Sequence, residues 1–335
     1  MTQHFILIIS GTETIRHPGI SAAGASHEML KYTAALDAEF VYHGELKTLP
    51  KLPVSPSGVV SPALISKACL NLLGFKITII DAGSHIKPQC SYISLREKPG
   101  ADIVSGQAMP LNEAQELFER SKALIENFDS ADELIIAECV VGGTTTAYFT
   151  LRSFGYDCQG LISSSIPSGN HDLKEEIIPQ ALTNAKFDDN PLSHAGDPMQ
   201  IVAAALSIAA AEKNIPVTLA GGTQMIAVKA LVDRFAEARD ITISPSPWVV
   251  SDKSGSFTNL LERVSPVTQV QVSTEIYSEA LDSEVKKLSK LSCAEELALE
   301  DVIREYDKGH VKEGVGMGAL LNLLSKESRQ KAKQD

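Results

Sequence analysis

The chain has little cysteine, and none placed to staple a fold. Cys69, Cys90, Cys139, Cys158 and Cys293 are odd in number, far apart and without a C-x-x-C pair, which excludes a disulfide framework or a zinc knuckle and leaves reduced thiols. The eight histidines include no H-x-x-x-H pair, so no metal is expected. Positive charge is scarce. A formal net charge of −12 would repel a phosphate backbone, and Lys and Arg are scattered except after Lys326, which excludes nucleic acid as a partner. No apolar run approaches the roughly 18 residues of a membrane span, and the longest, 201–211, is short and Ala-rich. The segment Met1–Ser10 has neither a basic region nor a small-residue cleavage site and reads as a first strand instead of a signal peptide, so a cytoplasmic protein is expected. The only tryptophan, Trp248, suits a core or interface position.

Several catalytic signatures are missing as well. There is no G-x-S-x-G elbow, no G-x-x-x-x-G-K-[ST] loop, no kinase signature and no G-x-G-x-x-G after a strand, which removes the usual support for hydrolase, P-loop and dehydrogenase readings. The acidic pair of transferases that use pyrophosphorylated ribose with magnesium is also absent, since Glu138 stands alone at the corresponding strand end.

What is present is a chain long enough for one large α/β domain with a subsidiary lobe, or for two medium domains, with 44% apolar and 21% charged residues. Short β-branched runs at 5–10, 76–80, 133–137 and 215–219 each stop at small, flexible residues. Near-continuous apolar runs of this length predict strands buried on both faces of a parallel sheet. Helical spacing lies between them. Ser61-Pro62 opens a helix that Gly74 closes after Leu73, Asn112 caps 113–128, and Asp197-Pro198 opens an Ala-rich helix stopped by Asn214. Further on, 241–250 and 267–276 read as strands and 283–290 and 294–306 as amphipathic helices. The tail 326–335 is polar and is expected to fray. Strand alternating with helix predicts an α/β fold of doubly wound type with a mostly parallel sheet.

In such a sheet, ligands bind at the carboxyl ends of the strands. The strongest candidate is Glu138-Cys-Val-Val-Gly-Gly-Thr-Thr-Thr-Ala147, where Gly142 and Gly143 precede Thr144, Thr145 and Thr146 at the start of a helix. Glycines there let a phosphate approach the helix N-terminus and the hydroxyls donate to it, while Glu138 contacts ribose. An ordinary Thr-capped turn is the alternative. Val311-Lys-Glu-Gly-Val-Gly-Met-Gly-Ala319 sets Glu313 beside closely approaching backbone at Gly314 and Gly316, or is a linker between terminal helices. Gly221, Gly222 and Thr223 form a third turn, and Asp81, Gly83 and Ser84 a fourth. His171 and His194 read as solvated loop residues.

Glu138–Ala147, Asp197-Pro198, Ile215-Pro-Val with its Gly turn, and Glu313-Gly-Val-Gly-Met-Gly318 occur in the order that resembles the nicotinate-nucleotide:dimethylbenzimidazole phosphoribosyltransferases. Gly11-Thr-Glu-Thr14 and Pro18-Gly-Ile-Ser-Ala-Ala-Gly24 are similar to the branch known from archaea and cyanobacteria. The resemblance implies one three-layer α/β/α domain over 1–325, with a small lobe of terminal segments including about 280–325 and a tail at 326–335, acting as a homodimer without cofactor. It implies transfer of phosphoribose from nicotinate mononucleotide to a cobamide lower base such as 5,6-dimethylbenzimidazole, giving α-ribazole phosphate and nicotinate. Glu313 takes the place of the catalytic base. Glu138, Gly142–Thr146, Gly221–Thr223, Gly314 and Gly316 hold ribose and phosphate, and Asp81, Gly83 and Ser84 form the base pocket. Three departures bear on the accepted base: Ala82 follows Asp81 where the better-known bacterial enzymes have His, Gly142-Gly143 replaces Gly-Asn, and Gly-Val-Gly-Met-Gly replaces Gly-Thr-Gly. Another aromatic acceptor, such as adenine or a phenol, or a nucleotide-binding protein that does no chemistry, fits the same residues.

Overall fold

Apolar residues alternate between two cores along the central strands, and this alternation sets the layers. In the first strand, Phe5, Leu7 and Ile9 enter one core and Ile6 and Ile8 the other, as the two-residue repeat of a strand buried on both faces requires. The computed structural model describes residues 2–24, 26–235, 241–293 and 295–331. Among them, β1 (Gln3–Ser10), β2 (Lys76–Ala82), β3 (Ile93–Arg96), β4 (Glu133–Val140), β5 (Val217–Ala220), β6 (Ile241–Ser244) and β7 (Gln269–Val270) form one sheet. All its pairings are parallel, in the order β3-β2-β1-β4-β5-β6-β7.

The helices are α1 (Thr33–His43), α2 (Ala63–Leu73), α3 (Leu111–Ala123), α4 (Gly143–Ser153), α5 (His171–Asn184), α6 (Pro198–Glu212), α7 (Thr223–Asp233), α8 (Pro247–Val250), α9 (Phe257–Val264), α10 (Glu279–Ser292), α11 (Leu299–Asp307) and α12 (Met317–Lys331). Helices α1, α2, α10, α11 and α12 cover one face, while α3 to α7 and α9 cover the other. This is the expected three-layer α/β/α architecture. None of the described helices is long and apolar enough to cross a membrane.

Local chemistry sets the ends as expected at several points. Gly74 closes α2 in the left-handed conformation, Asn214 takes φ 56°, and the Asp197 carboxylate accepts from Gln200 N at 3.1 Å with Pro198 in the first turn of α6. Other expectations need correction. The strand expected over 241–250 stops at Ser244, because Pro245 and Pro247 carry no N–H for the ladder, and Ser246 caps α8 instead. Only Gln269–Val270 pairs within 267–276. Asn112 lies inside α3, which starts at Leu111, and β3 was not foreseen because its four residues are half polar. His171 begins α5 instead of lying in a loop, and Pro179 inside that helix hid it. The last helices run 279–292 and 299–307, and α12 reaches Lys331, within the stretch expected to fray. Ala294 and 332–335 lie outside the described residues. Trp248 is buried, edge-on to Tyr306, and donates to Asp307 at 2.8 Å.

Candidate active site

The strand order reverses between β1 and β4, so the connections leaving them diverge and open a crevice at their carboxyl ends. A cleft open to solvent occupies that position. It is lined by 142–144, 222–224, 163–165 and 311–315, by Glu138 and Cys139, and by residues of α1 and the approach to α2.

One side of the cleft is made of helix N-termini. Gly142 takes φ 77°, a left-handed turn that aims the start of α4 at the cleft, and at Gly143 a Cβ would lie 1.8 Å from Gln224 Oε1. Only Thr144 of the three threonines lines the cleft. Thr145 and Thr146 turn their N–H groups back to the Gly142 carbonyl (2.9 and 3.3 Å) and are fully buried. The single Thr146 hydroxyl proton has two acceptors in reach, the buried Asp197 carboxylate and the Gly143 carbonyl at 3.0 Å. At the start of α7, Gly222, Thr223 and Gln224 line the cleft, while Gly221 does not.

Alternation along β4 sends Ala137 and Cys139 toward α1 and places Glu138 with Ile136 and Val140 on the α4 side. Burial pushes the Glu138 carboxyl up to about 8, with the charges of Glu313 and Asp197 adding to that, against the N–H of Val140 at 3.0 Å. At neutral pH Glu138 therefore carries a proton it can donate.

The segment 311–315 closes the cleft. Val311, Lys312, Gly314, Val315 and Gly316 have φ between 55° and 150°, and a β-branched residue there costs about 1–3 kcal/mol. Three long-range bonds hold this backbone: Val311 N donates to Ser165 O and Val315 N to Glu138 O, both at 3.0 Å, and Ser246 Oγ donates to Lys312 O. The Glu313 carboxylate accepts from Ser246 N at 2.5 Å, Gly314 N at 3.0 Å and Gly318 N at 3.3 Å. Glu313 keeps partial exposure, yet its carboxyl is recessed among packed atoms, which pushes it up to about 7 against the pull of those N–H groups. Of about four acceptor positions on a carboxylate, three are taken, so one remains for a proton from the cleft.

Two buried cations lie on the α4 side. Lys312 Nζ pairs with Asp252 at 3.0 Å, both side chains 3% exposed, and also reaches Ser254 at 3.1 Å. Lys174 is fully buried, with Nζ on the Ser163 carbonyl at 3.0 Å, and burial and Lys312 lower it to about 7. With Lys312 paired to Asp252, the partly protonated Lys174 leaves some positive potential beneath Ser163, Ser164 and Ser165. Sequence reading missed these residues, although three consecutive serines and a lysine beside Glu313 were visible.

The Asp81 turn does not line the cleft. Its carboxylate accepts from Gly83 N (2.9 Å), Ser84 N (2.7 Å) and Lys87 Nζ (2.6 Å), and it folds the end of β2 onto β3. Gly316 also packs away from the cleft, where a Cβ would meet Ala137 at 2.8 Å. Asp37, fully enclosed on α1, does line it, and accepts from Ser61 Oγ at 2.7 Å and Cys139 Sγ at 3.3 Å. Its only sequence signal was its place, with Glu39, as one of two acids inside the otherwise apolar run 34–41. Among the described residues no three His, Cys, Asp or Glu side chains are grouped to hold a metal ion.

Residues 63–246, more than half of the chain, match a family described as phosphoribosyltransferase. The chain belongs to this phosphoribosyltransferase family. The family expected from the sequence motifs is thereby borne out. The UPF0284 protein of Saccharolobus solfataricus is 35% identical over 318 residues, covering 94% of this chain and 85% of that one. The UPF0284 protein of Pyrobaculum calidifontis is 34% identical over 323 residues, covering 95% and 89%. Among solved structures, CobT from Thermus thermophilus superposes with a TM-score of 0.56 at 15% identity, covering 88% of this phosphoribosyltransferase and 83% of that chain. A nicotinate-nucleotide-dimethylbenzimidazole phosphoribosyltransferase structure from the same organism gives 0.57 at 13% identity, covering 90% and 85%. These superpositions show that the fold is shared.

Proposed function

We propose that this phosphoribosyltransferase moves the phosphoribosyl group of nicotinate mononucleotide to a benzimidazole-like base (5,6-dimethylbenzimidazole or similar), as a cytoplasmic homodimer. The observation that carries the reading is that Glu313 and the Gly142–Thr144 turn, distant in sequence, line one cleft. In this reading the 5′-phosphate sits at the starts of α4 and α7, above Lys312 and Lys174, where helix dipoles and ammonium charge favour an anion. Protonated Glu138 donates to a ribose hydroxyl. Anchoring the phosphate away from the reacting carbon supplies orientation.

A ring nitrogen of the acceptor attacks the anomeric carbon as the bond to nicotinate breaks. The bonding electrons return to the pyridinium nitrogen and neutralise it, so the leaving group needs no proton. The acceptor's other N–H gives its proton to Glu313, whose raised affinity for a proton suits a base working near neutrality. The three N–H groups on Glu313 favour a second reading, in which it organises its own loop and the cleft binds a nucleotide without chemistry.

The test is to incubate the protein with nicotinate mononucleotide and a panel of benzimidazole, 5,6-dimethylbenzimidazole, adenine and a phenol, following nicotinate by chromatography. Acceptor-dependent release is expected, and absence of release with every acceptor would overturn the enzymatic reading. Light scattering should give twice the chain mass.

A further inference from the structure

The cleft wall holds an acid that the transfer chemistry leaves unused. Asp37 is 2% exposed, and among the described residues no cation pairs with it. A buried carboxylate without a countercharge is costly to keep. Ser61 and Cys139 donate to one oxygen each, which leaves about two acceptor positions, and the open space beside them is the cleft. Burial pushes the Asp37 carboxyl up to about 7, against the two donors that pull it down.

The position of this acid relative to Glu313 decides what it can touch. A Cβ on Gly314 would stand 3.4 Å from Pro62, so the Glu313 loop packs on the residue that follows Ser61, the donor to Asp37. Asp37 and Glu313 thus share one wall, on the α1 and α2 side. The helix N-termini and the two lysines occupy the other side. A phosphate is drawn to the cationic side and repelled from the acidic wall, which leaves the acceptor base against Asp37 and Glu313.

We propose that Asp37, presented by Ser61 and Cys139, selects the acceptor: the cleft takes an aromatic base bearing a hydroxyl or amino hydrogen-bond donor on the edge away from the attacking nitrogen, in preference to one bearing only methyl groups. This rests on the transferase reading above. A donor completes the shell of the carboxylate with a charge-assisted bond, whereas a methyl group excludes water and leaves the oxygen unpaired. Sites built to bind a substrate OH or NH discriminate strongly against the analogue lacking it.

The isosteric pair 5-aminobenzimidazole and 5-methylbenzimidazole isolates the effect. Wild-type protein with nicotinate mononucleotide should favour the amino acceptor in kcat/KM by about tenfold or more. Asp37→Leu should bring the ratio to one or below. Asp37→Asn, which keeps the shape of the site, should lower the ratio without loss of thermal stability and guards against a Leu variant that fails to fold. A wild-type ratio of one or less, with nicotinate released, overturns the inference and spares the transferase reading; so does a ratio that survives both substitutions. Release with neither acceptor removes the transferase reading and this inference with it.

Discussion

Val315 donates its backbone N–H to the Glu138 carbonyl at 3.0 Å, which ties the C-terminal glycine motif to the strand end that leads into the Gly142–Thr144 turn. The bond fixes a strained segment, since Val315 itself has φ 55°. Position, more than residue type, is what this contact supplies to Glu313.

Replacing Glu313 by Gln should lower kcat by about 10²–10⁴-fold, the usual worth of a general base, with nucleotide affinity within a few-fold by calorimetry. In the wild type, kcat/KM should rise with pH as Glu313 ionises near 7 and fall again as Glu138 loses its proton near 8. The Gln variant should lack that rise. Equal turnover in the two proteins would assign Glu313 to loop organisation.

Thr144 and Thr146 should separate binding from stability. Thr144→Val removes the hydroxyl of a residue that lines the cleft, so the KM for the nucleotide should rise about tenfold, the worth of a hydrogen bond to a charged group, with an unchanged melting temperature. Thr146→Val takes a donor from buried Asp197 and should destabilise the fold by about 1–3 kcal/mol, read by denaturant titration.

Glu138 makes a prediction about pH and stability. Its folded-state affinity for a proton is raised to about 8 from the ordinary 4.5, so between these values the folded state binds more protons than the unfolded one. The stability it contributes is fully present below about 4.5 and is lost as pH rises through about 8. The melting temperature of Glu138→Gln relative to wild type should therefore climb from about pH 5 to about pH 8. A difference constant over that range would contradict the burial account.

The late glycines should be intolerant for different reasons. Gly316→Ala puts a methyl 2.8 Å from Ala137 and 3.0 Å from Phe5 at φ 70°, a combination of overpacking and backbone strain expected to cost about 1–3 kcal/mol or more. Gly318→Ala would meet the Ser246 nitrogen at 2.1 Å. Because that nitrogen also holds Glu313, turnover should fall further than melting temperature alone accounts for.

Much of this architecture was legible before any coordinates. The runs at 5–10, 76–80 and 133–137 became β1, β2 and β4 because double-sided burial demands continuous apolar residues, and Gly74, Asp197 and Asn214 act through their own backbone chemistry. Short β3, half polar at the sheet edge, carried too little signal. Tandem prolines at 245 and 247 were outweighed by the β-branched residues around them, although an absent N–H ends a ladder whatever its neighbours prefer.

Sequence alone determined the alternation of strand and helix, the glycine turns at strand ends and the membership of the family, since each depends on residues close together or on a motif kept in order. Which side chains meet was decided by the tertiary structure. Thr146 faces Asp197 instead of the cleft, Asp81 serves its own turn, and Asp37, Lys312 and Ser163–Ser165 converge from three segments. Burial, and the charge balance that follows from it, is a property of the packed whole that no local pattern encodes.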